Sequence, residues 1–166
     1  MSAVLAPIKP ADKIWTVGAI NGDLAALQAV HGKLRGKITA GDRLIYLGNY
    51  WGDGTAEAVS GAINEVLLFR RYFLAKDGVD IADIAFLRGA SEEMLSKLQQ
   101  IHFAPNPGEV FDWMLSRGIA GTLRAYGFDP SHTAGPDATG CTCHFAMDRP
   151  VRRSIPQKAR AQFTFV

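Results

Sequence analysis

Short apolar runs alternate with stretches of helical period along the first half of the chain. Residues 13–17, 43–47 and 84–87 are apolar or β-branched runs of strand length, and each leads into a glycine-containing turn. Between them, residues 23–34 repeat apolar side chains at helical spacing, and residues 56–76 are rich in Ala, Val, Leu and Phe. The pattern predicts an α/β fold of order β-α-β-α-β, for which a parallel sheet with right-handed crossovers is the economical arrangement.

The first helix is predicted to bury one apolar stripe against the rest of the domain. His31 lies on the same helix, and a helix-surface position is the simpler interpretation of it than a ligand role. The stripe comprises Leu24, Leu27, Val30 and Leu34.

Beyond residue 92 the pattern becomes helical and then rich in loop-forming residues. Apolar stripes at 94–98 and 110–115 predict two helices, the second opened by Pro107, and 119–126 favours a third. Gly, Pro, Ser, Thr and Asp dominate residues 127–150, which predicts a loop. We expect one domain over residues 1–166, divided into an α/β core (13–94), a helical segment (95–126), and a loop with a basic tail (127–166).

The composition indicates one soluble domain, since 48% of the 166 residues are hydrophobic and 20% are charged. No apolar run approaches the roughly 20 residues that a membrane span needs, and the N-terminus does not resemble a signal peptide. The two cysteines, Cys141 and Cys143, argue against a secreted disulfide scaffold and are interpreted as free thiols. A cytoplasmic location is therefore expected.

The charge is small overall but concentrated near the C-terminus. A net charge of +2 argues against a specific nucleic-acid partner. A solvated or frayed end is the simplest interpretation of the basic tail, and docking onto an acidic surface is the alternative. The tail contains Arg149, Arg152, Arg153, Lys158 and Arg160.

Three glycine-framed turns follow the predicted strands, at the sheet edge where α/β folds build their sites. They read A-I-N-G at 19–22, G-N-Y-W-G-D-G at 48–54 and G-A-S-E at 89–92. In order, spacing and retained glycines they resemble the calcineurin-like metallophosphoesterases, especially bacterial members near the protein Ser/Thr phosphatases and diadenosine tetraphosphate hydrolases. That family carries D-x-H-G, G-D-x-x-D-R-G and G-N-H-[DE] there. The resemblance covers about residues 13–94 and implies the metallophosphoesterase fold.

The resemblance also implies that the family's chemistry has been lost. Family members use two metal ions, bridged by an Asp, to hold a hydroxide and a phosphate. Changes to groups that merely support metal ligands typically cost about 10–100-fold in affinity or activity, and here the ligands themselves differ. We therefore expect no catalytic residue, no bound metal and no cofactor. The vestigial positions are Ala19, Asn21, Asn49, Gly52, Asp53, Ala90 and Ser91.

Polar side chains remain around these turns and are candidates for binding. Trp51 is interpreted either as a packing residue or as a side chain that fills the pocket or faces a partner. The candidate binding residues are Asn21, Asp23, Asn49, Trp51, Asp53, Ser91 and Glu92.

The family continues into a second group of strands with further histidine ligands, which this chain does not match. A sheet without its second layer leaves apolar surface uncovered, so we expect a protein partner or self-association. The function expected is that of a catalytically inactive protein, acting as a binding, regulatory or accessory subunit of a larger assembly. Two alternatives stay open. One is a weak metal-dependent phosphoesterase with Asp23, Asn49, Asp53 and Glu92 as ligands, and the other is a module that binds nucleotide or phosphate without hydrolysing it.

Overall fold

A computed structural model describes residues 10–128 and residue 130. The predicted loop at 127–150 lies almost entirely outside these residues, and the basic tail from Arg149 to Arg160 lies wholly outside them. The strands are β1 (Ile14–Val17), β2 (Arg43–Tyr46) and β3 (Ile84–Phe86). The helices are α1 (Leu24–Arg35), α2 (Ala56–Leu74), α3 (Ala90–Leu98), α4 (Pro107–Met114) and α5 (Ala120–Ala125).

The three strands form one parallel sheet in the order β1-β2-β3. Trp15 lies opposite Leu44 in the first pair, and Tyr46 lies opposite Phe86 in the second. The predicted α/β class and the β-α-β-α-β order are therefore confirmed, although β2 and β3 each end one residue earlier than the apolar run predicted. No helix in the described part of the chain combines the length and the apolar character that a membrane crossing requires.

The main core lies between one face of the sheet and the two crossover helices. Because the strands follow one another in a single direction, right-handed crossovers place α1 and α2 on the same face. Buried side chains on that face include Leu44 and Tyr46, which are two residues apart in β2. Phe69 and Phe73 of α2 pack into the same cluster.

The buried face of α1 differs from the predicted stripe. Leu27, His31 and Leu34 are buried at spacings of four and three residues, whereas Val30 is 40% exposed. The prediction was therefore wrong for Val30 and for the surface position of His31. The physical reason is that both ring nitrogens of His31 find hydrogen-bond partners, which lets a polar ring occupy a core position.

His31 is the centre of a buried polar network that joins α1, β2 and α2. Its Nδ1 lies 2.7 Å from Oε1 of Glu65, and its Nε2 lies 2.9 Å from the hydroxyl of Tyr46. The ring also stacks on Phe69, with centroids 4.0 Å apart. Burial lowers the pKa of His31 against the opposing effect of Glu65, and nearby Arg35 lowers it further. A neutral His31 thus donates from Nδ1 to Glu65 and accepts from Tyr46, whose own pKa burial raises.

Helices α3 to α5 enclose a second, smaller apolar cluster. Pro107 is the first residue of α4, as predicted. A wide turn, Leu115–Ile119, follows α4, and within it Gly118 adopts a φ of 89° that favours glycine. The turn redirects the chain so that α5 packs against α2. The cluster contains Leu98, Ile101, Phe111, Met114, Ile119 and Leu123.

Exposed apolar side chains lie along the sheet, away from α1 and α2. By the alternation of strand side chains, Ile14, Leu47 and Leu87 point away from the main core. Their exposed fractions are 55%, 46% and 36%. Within the described residues β1 and β3 are also the edge strands of the sheet.

Candidate functional site

The first two turns pack directly on each other at the carboxyl edge of the sheet. The backbone N–H groups of Ile20 and Asn21 both donate to the carbonyl of Asn49, at 3.0 and 2.8 Å. A Cβ atom added at Gly52 would overlap the carbonyl oxygen of Asn21. Gly52 therefore allows a close backbone contact that no other residue type permits.

Asn21 and Asn49 have backbone conformations that explain their identity without any ligand. Their φ angles are 50° and 54°, in the left-handed region where asparagine is the most tolerated residue after glycine. Gly22 follows Asn21 with φ 73°, and the N–H of Asp23 donates to the carbonyl of Ile20 at 3.0 Å. This is the geometry of a type I′ turn, for which Asn-Gly is the preferred pair.

Glu92 joins the second turn to the third. Its Oε2 accepts from the backbone N–H groups of Asn49 and Gly89, each at 2.7 Å. Its Oε1 accepts from the N–H of Tyr50 at 2.9 Å and from the hydroxyl of Ser91 at 2.8 Å. The residue is 4% exposed. Both carboxylate oxygens are thus used inside the fold, and Glu92 does not line the cavity.

The side chain of Asn49 completes the contact between these turns. Its Oδ1 accepts from the backbone N–H of Ser91 at 3.0 Å, and the hydroxyl of Ser91 lies 3.3 Å from the same oxygen. The acceptor end of Asn49 is therefore occupied by α3. Its Nδ2 donor has no partner among the described residues.

The three turns border a cavity of about 640 Å³. Of the sequence-predicted positions, Asn21, Asn49, Trp51, Gly52, Asp53, Ala90 and Ser91 line it. Three do not. Ala19 borders a separate groove beside α1, and Asp23 is the N-cap of α1, where its carboxylate accepts from the N–H of Ala26 at 2.9 Å. Glu92 is the third.

The far wall of the cavity comes from the helical segment, for which the sequence pattern predicted no part in the site. Trp113 and Arg117 are four residues apart, and Trp113 is 50% exposed. In the sequence, a tryptophan followed four residues later by an arginine on one helical segment could have indicated a contact between an aromatic ring and a cation. The further lining residues are Glu93, Met94, Leu95, Lys97, Trp113, Arg117, Gly118, Ile119 and Thr122.

The helical segment is attached to the second turn through small residues at the start of α5. The N–H of Gly121 donates to Oδ1 of Asp53 at 3.2 Å, and the hydroxyl of Thr122 lies 3.3 Å from the carbonyl of Gly52. A Cβ at Gly121 would overlap the carbonyl oxygen of Gly54 and the backbone of Asp53. The far wall is therefore positioned by backbone contact.

The charged groups at the cavity are unequally engaged. Glu93 pairs with Arg88 at 3.3 Å and with Lys97 at 4.0 Å, and Asp53 accepts from α5. The guanidinium of Arg117 lies 5.6 Å from the ring centroid of Trp113. Arg117 forms no ion pair with any residue that the structure describes. It is thus a cavity cation without a carboxylate partner in this part of the chain.

Trp51 is both a packing residue and part of the cavity wall. Its ring lies edge-on to Tyr50 at 6.3 Å and packs against the main core. Burial raises the pKa of the Tyr126 phenol, and the neighbouring indole N–H of Trp51 lowers it in part. That N–H is buried, and no acceptor among the described residues meets the criteria for a hydrogen bond with it. Both interpretations of Trp51, as packing residue and as cavity wall, are therefore compatible with its position.

The donor set does not fit the dinuclear metal centre that the resemblance implies. Among residues 10–128 and 130, no group of three or more His, Cys, Asp or Glu side chains is arranged to hold a metal ion. Glu92 and the oxygen of Asn49 are engaged in the fold, and position 52 has no room for a carboxylate. Neutral amides do not offset the charge of two adjacent cations, so these side chains do not match the ligands of a dinuclear centre.

A scan against protein-family models, a search of curated proteins and a search of solved structures each found no match to this chain.

Proposed function

We propose that this chain is a non-catalytic relative of the calcineurin-like metallophosphoesterases, acting as a binding, regulatory or accessory subunit of a larger protein assembly. The parallel β-α-β-α-β unit supports the proposal, because it brings the three turns that carry the resemblance to one sheet edge. By the resemblance, positions at this edge would bind metal in the family, and here they hold different residues.

The observation that carries the non-catalytic part is the contact between Gly52 and Asn21. By the resemblance, position 52 would hold a carboxylate, yet a Cβ there would overlap a carbonyl oxygen. Restoring that ligand would require the first two turns to separate. The hydrogen bonds from Ile20 and Asn21 to Asn49 oppose such a separation. The proposed loss of catalysis thus rests on the backbone as well as on the side chains.

The binding part is supported by the uncovered apolar side chains of the sheet. Ile14, Leu47 and Leu87 are exposed, and both flanking strands are edges in the described part of the chain. Exposed apolar clusters and open strand edges favour association with another surface. Within residues 10–128 and 130 these side chains stay exposed, and a partner that packs on them would remove them from water.

Catalysis is tested by a phosphoesterase assay with a generic aryl phosphate in the presence of Mn²⁺ or Mg²⁺. The expected result is no turnover above the buffer rate, with the same result for Asn49→Ala. Metal-dependent turnover that disappears in Asn49→Ala would contradict the proposal and favour the weak hydrolase instead.

Assembly is tested by size-exclusion chromatography of a native cell extract with detection of this chain. The expected elution is well above the 18.0 kDa of one chain. A control with Leu47→Asp and Leu87→Asp together should shift elution towards the monomer if the exposed apolar side chains form the contact surface. Elution of the unaltered chain as a monomer without partners would refute the accessory role.

A further inference from the structure

We propose that the strand-edge cavity binds a small organic anion with a flat apolar body, such as an aromatic carboxylate. The inference rests on the proposed function, since a dinuclear centre would occupy the same space. It goes further by assigning a ligand class to the cavity. Three properties of the cavity support that class: its size, the character of its wall and the engagement of its polar groups.

The cavity has the size and composition of a small-molecule site. Its volume of about 640 Å³ falls within the roughly 300–1,000 Å³ that such sites occupy. Two indole rings, Trp51 and Trp113, contribute to the wall from different parts of the fold. Aromatic rings present flat surfaces against which another flat ring packs well. The apolar lining residues are Trp51, Met94, Leu95, Trp113 and Ile119.

The polar groups that remain unengaged at the cavity are mainly hydrogen-bond donors. The carboxamide of Asn21 and Nδ2 of Asn49 have no partner among the described residues. Arg117 lies at the same cavity without an ion pair in this part of the chain. A ligand with acceptor oxygens would satisfy these donors, and a charged acceptor would satisfy Arg117 best.

The carboxylates at the cavity leave fewer open acceptors than there are open donors, which favours an anionic ligand over a cationic one. Glu93 pairs with Arg88 and Lys97, and Asp53 accepts from the N–H of Gly121. A cation at Glu93 would therefore compete with existing partners, and Oδ2 of Asp53 is the one carboxylate oxygen at the cavity without a partner among the described residues. A neutral apolar ligand would form no ion pair with Arg117, which is exposed, and would leave the amide donors without an acceptor. An anion with a flat body would pack against the aromatic wall and accept hydrogen bonds from the open donors.

The test uses the full chain labelled with ¹⁵N and observes its three indole N–H signals by NMR. The probe is 2-naphthoate, and the neutral comparison is 2-naphthalenemethanol. Trp15 serves as an internal control because its N–H donates to Asp42 at 3.0 Å and it does not line the cavity. Saturable shifts of Trp51 and Trp113, with Trp15 unchanged, are expected. Naphthalenemethanol should bind at least fivefold more weakly.

Two arginine variants separate the proposed contact from general attraction to positive charge. Arg117→Met should weaken naphthoate binding at least tenfold, whereas Arg124→Met, an exposed α5 position outside the cavity, should change it less than twofold. Trp113→Leu provides a second probe of the wall and should also weaken binding. Unchanged melting temperatures would show that each variant still folds.

Adenosine monophosphate and inorganic phosphate are two further probes, which show whether the anion recognised by the cavity belongs to a nucleotide or is free phosphate. Tighter binding of adenosine monophosphate than of naphthoate would support the class and identify a nucleotide as the source. Inorganic phosphate bound as tightly as either would overturn the proposal, because the apolar wall would then contribute nothing. Equal effects of the two arginine variants, or absence of naphthoate shifts, would also overturn it. Naphthoate binding and phosphoesterase turnover are measured separately, so each proposal fails on its own result.

Discussion

Replacing Glu92 with glutamine tests whether the polar groups at the strand edge hold the turns together. The carboxylate accepts four hydrogen bonds in a buried position, three of them from backbone N–H groups. Glutamine keeps one acceptor oxygen and exchanges the other for an NH₂ donor. In the orientation that retains Asn49 and Gly89 as donors to the oxygen, the NH₂ group faces the N–H of Tyr50, so two donors oppose each other.

The expected loss in the free energy of unfolding follows from these hydrogen bonds. An unsatisfied buried donor costs about 1–3 kcal/mol, and hydrogen bonds to charged groups are worth more than neutral ones. Glu92→Gln loses the hydrogen bond from Tyr50 and weakens the others, because the acceptor is no longer charged. Together these effects should destabilise the fold by about 2–4 kcal/mol. That is a large part of the roughly 5–15 kcal/mol by which domains are stable, and corresponds to a fall in Tm of roughly 5–15 °C.

The measurement is urea unfolding followed by circular dichroism, with Glu93→Gln as the matched control. Glu93 is the adjacent glutamate, and it is half exposed where it pairs with Arg88. An exposed pair of this kind contributes little, so the control should lie within about 0.5 kcal/mol of the unaltered chain. Equal losses in the two variants would refute the assignment of Glu92 as the link between the second and third turns.

Three further outcomes are expected. Because burial lowers the pKa of His31 below its ordinary 6.5, the unfolded chain binds more protons, so the free energy of unfolding should fall as pH drops below about 6.5. Urea unfolding between pH 7.5 and 5 should show this slope, and His31→Gln should flatten it; an unchanged slope would assign it to other groups. Gly121→Ala should lower Tm and weaken naphthoate binding, because a Cβ at this position overlaps the second turn. Its control, Gly32→Ala, lies on the open surface of α1 and should stabilise the fold by about 0.5–1 kcal/mol. Similar melting temperatures of the two variants would contradict the packing of α5 on the second turn. Tyr46→Phe leaves Nε2 of His31 without its donor, so urea unfolding should show a free energy of unfolding about 1–2 kcal/mol lower. An unchanged free energy of unfolding would show that this hydrogen bond does not stabilise the fold.

The fold class could be predicted from the sequence because local and tertiary signals agree in the first half of the chain. Leu44 and Tyr46 belong to a continuous apolar run bounded by glycine turns, which is typical of a buried parallel strand. His31 could not be placed in the same way. Its burial depends on Glu65, which is 34 residues away along the chain, so no local pattern indicates it.

Part of the candidate site could be predicted and part could not. The turns were found because Asn49 and Ser91 follow strands that end at one sheet edge. Trp113 and Arg117 come from a segment outside the region of resemblance, and their place in the wall depends on how α5 docks through Gly121. Periodicity predicts which residues share a helix face, but not which distant turn that helix will contact.

The proposed function depends above all on the strand tips failing to assemble a dinuclear metal centre. Elemental analysis of natively purified protein, with Asn49→Ala prepared in parallel, measures this property without an assumed substrate. We expect manganese, iron and zinc each well below one ion per chain, and the same values in both proteins. One or more ions per chain in the unaltered protein, lost in Asn49→Ala, would show that the centre exists and that the proposal is wrong.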